Sequence, residues 1–115
     1  MCLPPTTDYI LITYRPGGIE IPNQSISTNF GIDAYASAYN NTFGYIGPVS
    51  VNWSILNYGS NATINASYGK CIEFNSGNKN GVAILEAEYN GFNDIVAFTI
   101  NSSIFSFFFY KGWNL

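Results

Sequence analysis

The stretch from Pro48 to Leu56, PVSVNWSIL, carries the clearest strand pattern in this chain. Its apolar residues alternate with small polar ones, which is typical of a β-strand with one buried face and one face in water. Trp53 lies in the middle of the apolar side, and a side chain of that size buries about 150–250 Å². A central tryptophan strand with further short strands around it predicts a sandwich of two β-sheets.

Shorter strand patterns lie on both sides of this stretch, and Gly- and Asn-rich turns separate them. We predict strands over residues 9–14, 28–39, 62–64, 70–75, 82–89 and 95–100, a short edge strand over 18–22, and a loop over 40–47. One face of strand 28–39 carries Phe30, Ile32, Ala34, Ala36 and Ala38. The small side chains of that face leave room for Trp53. The series predicts an all-β, immunoglobulin-like β-sandwich of about seven strands.

Length and charge limit the classes of function. The 115 residues form one domain, which we divide into an N-terminal tail (1–8), the sandwich (9–101) and an apolar C-terminal segment (102–115). Only 10% of the residues are charged and the net charge is −3, which argues against a nucleic-acid partner. Asn, Ser, Thr and Tyr must therefore cover the surface, and this composition favours an extracellular location.

The C-terminal segment contains the longest apolar run, Ile104 to Tyr110, with the sequence IFSFFFY. A membrane-spanning helix needs about 20 apolar residues, so this run is too short to cross a bilayer. It predicts an extra strand, an assembly strand that pairs with a second copy or a neighbouring module, or the start of a following module.

Residue types that carry catalysis are scarce. The chain has no histidine, which excludes histidine-based triads and acid–base chemistry and argues against a zinc site. Glu86 and Glu88 point to the same face of one strand, and the alternation places that face in solvent. Asn90, Asn93 and Asp94 offer oxygen atoms in one loop, but a single carboxylate is too few for calcium. We predict no catalytic residue, metal or cofactor, and hence no enzyme.

The two cysteines, Cys2 and Cys71, are too few to form a disulfide framework. Two interpretations are open. The pair forms a disulfide between the tail and the domain or between two chains, or both thiols stay unpaired. The second interpretation is favoured.

Four aromatic side chains form a candidate contact patch. Tyr35 and Tyr39 share the outward face of strand 28–39, and Phe43 and Tyr45 lie in the loop that follows. Exposed rings of this kind stack on sugars or anchor a protein partner. The alternative is ordinary aromatic cover of a surface that has little charge.

Asparagines at six positions lie in N-x-[ST] triplets, the acceptor sequence for N-glycosylation. They are Asn23, Asn40, Asn52, Asn61, Asn65 and Asn101. Roughly two such triplets are expected by chance from this composition. The alternation puts Asn52 on the outward face, as a glycan requires. The other interpretation is a sequence rich in Asn, Ser and Thr that carries no glycan.

The region from Val51 to Ile100 resembles the bacterial immunoglobulin-like (Big) and invasin/intimin-type repeats of prokaryotic surface proteins. The resemblance rests on the strand that contains Trp53, the turn 59–64, Gly69 before the next strand, the series GVAILEA over 81–87, and the hairpin at Gly91. It implies a rigid spacer or adhesion module on a bacterial or archaeal cell surface. We expect a non-catalytic extracellular structural or adhesion module that contacts neighbouring modules, surface polysaccharide or protein. The alternative is a carbohydrate-binding module that uses the four aromatics.

Overall fold

The computed structural model describes residues 6–102, which form two packed β-sheets. The strands are β1 (Tyr9–Thr13), β2 (Gln24–Ile26), β3 (Gly31–Asn40), β4 (Gly44–Pro48), β5 (Val51–Tyr58), β6 (Thr63–Ile64), β7 (Tyr68–Gly69), β8 (Cys71–Asn75), β9 (Gly81–Tyr89) and β10 (Phe92–Ile100). The first sheet has the order β1-β3-β8-β6, with β4 also paired to β3. The second sheet has the order β2-β10-β9-β5-β7.

This strand order is immunoglobulin-like. If β1 and β2 are taken as two halves of strand A, then β3, β5, β6, β8, β9 and β10 correspond to strands B to G. The first sheet then reads A-B-E-D and the second reads G-F-C, as in immunoglobulin sandwiches. The predicted all-β sandwich is therefore confirmed, and β4 and β7 are short additions to it.

The core follows the predicted alternation. The buried apolar residues are Ile32, Ala34, Ala36 and Ala38 on β3, Ala83, Leu85 and Ala87 on β9, and Val96, Phe98 and Ile100 on β10. Phe30 departs from the prediction because β3 begins after it, and its side chain is 45% exposed. Since the inward faces of the long strands are apolar, burial fixes their register.

Trp53 lies in the core with only 2% of its surface exposed. Its indole N–H donates to the carbonyl oxygen of Gly69 at 2.9 Å, and its backbone N–H donates to that of Ser67 at 2.8 Å. The residue therefore fills the core between the sheets and also holds β7 against β5.

Three short strands escape the sequence prediction: β2, β4 and β7. The predicted loop 40–47 is wrong from Gly44 onward, because β4 pairs with the end of β3 across a bulge at Ala38/Tyr39. The predicted edge strand 18–22 is also wrong. Only a single bridge joins Thr13 to Glu20, and regular pairing starts at Gln24, where β2 lies parallel to β10. The ladder stops there because the backbone N–H of Ile12, which would continue it, donates to the carboxylate of Asp94 instead.

The described chain enters the sandwich at one end and leaves it at the other. Thr6 accepts a hydrogen bond from Asn40 at the end of β3. Ser102 donates to Asn80, in the loop that lies beside the start of β3. Nine residue steps separate the two ends of β3, which corresponds to about 30 Å.

Two earlier predictions concern residues outside the described range. The apolar run 104–110 and Cys2 both lie there. Within residues 6–102, no helix is long and apolar enough to cross a membrane.

Candidate functional site

A cluster of three tyrosines covers the outer face of the first sheet near the end where the chain enters. The rings of Tyr9 and Tyr39 stack almost parallel, with centroids 5.0 Å apart. The ring of Tyr45 on β4 meets Tyr39 at 5.7 Å and a tilt of 58°. Tyr9 and Tyr45 each keep 39% of their surface exposed. The cluster, called the tyrosine cluster below, thus presents an aromatic surface to solvent.

The β1–β3 register builds the tyrosine cluster, since it places Tyr9 directly opposite Tyr39. Sequence reasoning missed Tyr9 because strand pairing is a tertiary property. Burial is the main effect that raises the pKa of Tyr39, against a hydrogen bond with Ser37 that lowers it. A raised pKa keeps the Tyr39 phenol protonated at neutral pH.

The turn after β1, residues 14–18, contains Gly17 and Gly18 and is called the glycine turn. It packs against the tyrosine cluster from one side. The backbone N–H of Gly17 donates to the hydroxyl of Ser37 at 2.9 Å, and that hydroxyl lies 2.8 Å from the hydroxyl of Thr13. A Cβ at Gly17 would lie 2.7 Å from the ring of Tyr45, so the bare backbone packs against that ring. The turn fixes the position of Tyr45 through this contact.

The structure separates the four predicted contact residues. Tyr39 and Tyr45 are neighbours in the tyrosine cluster. Tyr35 lies on the other side of Ser37, which the glycine turn buries, so Tyr35 and Tyr39 are not one continuous surface. Phe43 projects from the turn between β3 and β4 with 71% of its surface exposed.

The turn that carries Phe43 is held by side-chain caps. The carboxamide oxygen of Asn40 accepts from the backbone N–H groups of Thr42 (2.8 Å) and Phe43 (3.1 Å). The carboxylate of Asp8 accepts from the backbone N–H of Asn41 at 2.7 Å. Phe43 is therefore presented by an ordered turn beside the tyrosine cluster.

Glu86 and Glu88 lie on the outer face of the second sheet, as predicted, and they bond to amides. Glu86 accepts from the side chain of Asn93 at 3.1 Å. Glu88 accepts from the backbone N–H of Gly91 and the side chain of Asn52, and these bonds lower its pKa. A lowered pKa suits a fixed carboxylate and opposes a role as a general acid.

The three oxygen donors considered for calcium do not converge. The hairpin turn is only Asn90-Gly91, both at positive φ, so Asn93 and Asp94 belong to β10. Asn93 bonds to Glu86, whereas the carboxylate of Asp94 accepts from the backbone N–H of Ile12 at 2.8 Å. Among residues 6–102, no cluster of three or more acidic or cysteine side chains could hold a metal ion.

Asp94 has a role that the sequence did not reveal. It caps the free edge of β1 and also faces Glu20. Burial, followed by the charge of Asp94 and a hydrogen bond between the two carboxyl groups, raises the pKa of Glu20. The free energy of unfolding is therefore lower when Glu20 is ionised than when it is protonated.

Replacing Glu20 with glutamine is expected to raise the free energy of unfolding at pH 7. Because the folded-state pKa of Glu20 lies above the unfolded value, about 4.3, the destabilisation appears as pH rises above that value. Near pH 3 both states are protonated, and the substitution should change little. Urea unfolding at the two pH values measures the difference.

The control for this prediction is Glu86→Gln, which removes the same charge where the partner is a neutral amide. A Glu20→Gln effect that is equal at pH 7 and pH 3 would contradict a carboxyl–carboxyl contact.

The six N-x-[ST] asparagines differ in how firmly their side chains are bound. Asn40, Asn52 and Asn61 use their amide nitrogens as hydrogen-bond donors. Asn65 is exposed and uses its oxygen, which accepts from the backbone N–H of Glu73 at 2.8 Å. Asn23 is likewise exposed, and its oxygen accepts from Ala97. In Asn65 and Asn23, the hydrogen bond thus engages the side-chain oxygen and not the amide nitrogen that a glycan would modify.

Asn101 is half-buried at the exit end of the sandwich. Cys71 is a free, exposed thiol at the start of β8.

Comparison of the chain with protein-family models, with curated proteins and with solved structures finds no significant match.

Proposed function

We propose that this chain is a non-catalytic, extracellular structural or adhesion module of a bacterial or archaeal surface protein, of the Big or invasin/intimin-type repeat class. Its work is to hold neighbouring parts of a surface protein apart and to present contact surfaces. The motif series from Val51 to Ile100 supports the class, and the immunoglobulin-like strand order agrees with it.

The observation that carries the proposal is where the described part of the chain, residues 6–102, enters and leaves the sandwich. The chain enters beside Asn40 and leaves beside Asn80, at opposite ends of β3 and about 30 Å apart. A domain with ends placed in this way adds its full length when copies are joined in series. A domain with adjacent ends would instead project sideways.

Capped edges support a role as a stable spacer. Exposed strand edges invite unwanted pairing with other chains. On β1, the backbone N–H of Ile12 donates to the carboxylate of Asp94, and the carbonyl oxygen of Ile12 accepts from the backbone N–H of Ile21. The N–H of Ala97 on β10 is taken by the side chain of Asn23. These side chains satisfy edge groups where regular pairing stops.

The extracellular part of the proposal rests on the surface chemistry. Only 10% of residues are charged, and accessible acceptor asparagines such as Asn65 stand on the surface. The intact mass of protein purified from its native source tests this part. A mass equal to that of the bare chain would contradict glycosylation.

Joining copies of residues 6–102 in series tests the spacer function. In small-angle scattering, the maximum dimension is expected to grow by at least about 30 Å with each added copy, because entry and exit lie at opposite ends. Copies that fold back beside each other would leave the maximum dimension almost unchanged, and that result would contradict the proposal.

A carbohydrate-binding function is the second candidate, and the tyrosine cluster favours it. Exposed, preordered rings stack on the apolar faces of sugars at small entropic cost. Tyr45 packs against the Gly17 backbone and Tyr39 stacks on Tyr9, and these contacts lower the entropic cost of ordering the rings on binding.

Replacing Tyr45 with alanine is expected to weaken binding to a surface polysaccharide by about tenfold or more, as the loss of a central aromatic anchor does. The matched control is Tyr68→Ala, which removes a 64% exposed tyrosine from the other sheet. Glycan-array titration of both variants measures the effect. Equal binding by the two variants would exclude the tyrosine cluster as the sugar site.

A further inference from the structure

The outer face of the second sheet carries a continuous apolar surface that the proposed function does not use. Cross-strand pairing aligns Tyr58 with Val82, and Leu56 with Ile84 and then Ala97. Ile95 lies on the same face of β10, one row further along. Together, Leu56, Tyr58, Val82, Ile84, Ile95 and Ala97 are called the apolar band.

The apolar band is open to solvent in the described part of the chain. Leu56, Tyr58 and Ile95 expose 57%, 59% and 56% of their surfaces. Adjacent large apolar side chains on an otherwise polar surface mark a site that another segment or molecule covers.

The rim of the apolar band is acidic on one side only. Glu86 lies opposite Ile95 and opposite Ser54, and Glu88 lies in the next row, opposite Asn52 and Asn93. The rows of Val82 and Ile84 therefore lie nearest to the exit end, and the rows of Glu86 and Glu88 lie farther from it.

We propose that the chain's own C-terminal segment, residues 103–111, covers the apolar band. Along the segment, apolar residues come first and a positive charge follows. Along the sheet from the exit end, the apolar band comes first and the carboxylates follow. The segment has the apolar run from Ile104 to Tyr110 and then Lys111. If the run lies on the apolar band, the ammonium group of Lys111 reaches the side where Glu86 and Glu88 stand.

The position of the chain exit permits this arrangement. The backbone N–H of Ser102 donates to the side chain of Asn80 at 2.9 Å, directly before β9 begins. Thr99 pairs with Val82, so the exit lies beside the first row of the apolar band. The segment therefore starts next to the surface that it covers.

The length of the segment is also sufficient. Nine residues, 103–111, extend to about 30 Å. The apolar band is about 10 Å wide across three strands and about 13 Å long from the row of Thr99 to the row of Ile95. The surplus leaves room for the reversal of direction that the segment needs after Ser102.

Disulfide trapping in the full chain tests the proposal. In a background of Cys2→Ser and Cys71→Ser, the pair Leu56→Cys and Phe107→Cys is oxidised and analysed by mass. The expected product is a disulfide within one monomer. Because Leu56 is exposed, its replacement leaves the core intact, and Ile95→Cys serves as a second position.

The matched control pairs Phe107→Cys with Asp33→Cys, an exposed position on the first sheet near the same end. Equal trapping at Leu56 and Asp33 would overturn the proposal. Disulfides formed only between two chains would also overturn it, because they would place a second copy on the apolar band.

The charge of Lys111 gives an independent readout. Lys111→Glu is expected to slow trapping at Leu56 by up to about fivefold, the range of an exposed ion pair. Combining it with Glu86→Lys should restore the rate. An unchanged rate in Lys111→Glu would overturn the proposed direction of the segment.

Discussion

Replacing Phe74 with alanine is expected to lower the free energy of unfolding by about 3–5 kcal/mol. Phe74 on β8 is fully buried and stacks on Phe98 of β10, with ring centroids 4.6 Å apart. The two rings come from different sheets, so their contact joins the halves of the sandwich.

Urea unfolding followed by tryptophan fluorescence measures this loss, since Trp53 lies in the same core. The control Phe43→Ala removes the same ring from a position that is 71% exposed, and it should change stability by no more than about 0.5 kcal/mol. Equal effects of the two substitutions would contradict the assignment of Phe74 to the core.

A double-mutant cycle with Phe98→Ala separates the contact from the cavity. The two rings should show a coupling free energy of about 0.5–1.5 kcal/mol, the range of paired aromatics. Additive losses would mean that each ring contributes only through its own burial.

Replacing Gly81 with alanine is the second substitution with a large expected effect. Gly81 begins β9 at φ +155°, and a Cβ there would collide with the carbonyl oxygen of Tyr58 and lie 2.5 Å from the backbone nitrogen of Ser60. The unfavourable backbone conformation costs about 1–3 kcal/mol, and the overpacking adds a similar amount. Both neighbours are main-chain atoms, so neither can rotate away.

The control for this prediction is Gly91→Ala. Gly91 has φ +87°, but a Cβ there meets nothing within 4 Å, so only the backbone cost applies. Thermal unfolding of the two variants should show a larger loss at Gly81. A smaller loss at Gly81 than at Gly91 would contradict the close approach of the 58–60 turn to β9.

The pattern of apolar residues was enough to predict most long elements. Seven strands (β1, β3, β5, β6, β8, β9 and β10) coincide with predicted stretches, with small shifts at their ends. On β3, four of the five residues predicted for one face are buried, namely Ile32, Ala34, Ala36 and Ala38. Alternation is a local property of a strand, and a buried face imposes it on the sequence, so a single sequence displays it.

Short strands and edge contacts could not be predicted in this way. β2 and β7 have three and two residues, too few to show a period of two. Asp94 looked like a loop residue, yet it caps the edge of β1 from a distance of 82 residues. Tyr9 joined the candidate site only through its register with Tyr39. The local sequence around these positions does not indicate which distant residues they contact.

The sequence by itself thus determined the class of the fold, the inward faces of the long strands and the absence of histidine chemistry. The tertiary structure alone decided which tyrosines stand together, which side chains close the strand edges, and that the chain enters and leaves at opposite ends. The physical reason is the range of the interactions. Burial acts on each strand separately, whereas pairing, stacking and edge capping join residues that are far apart in the chain.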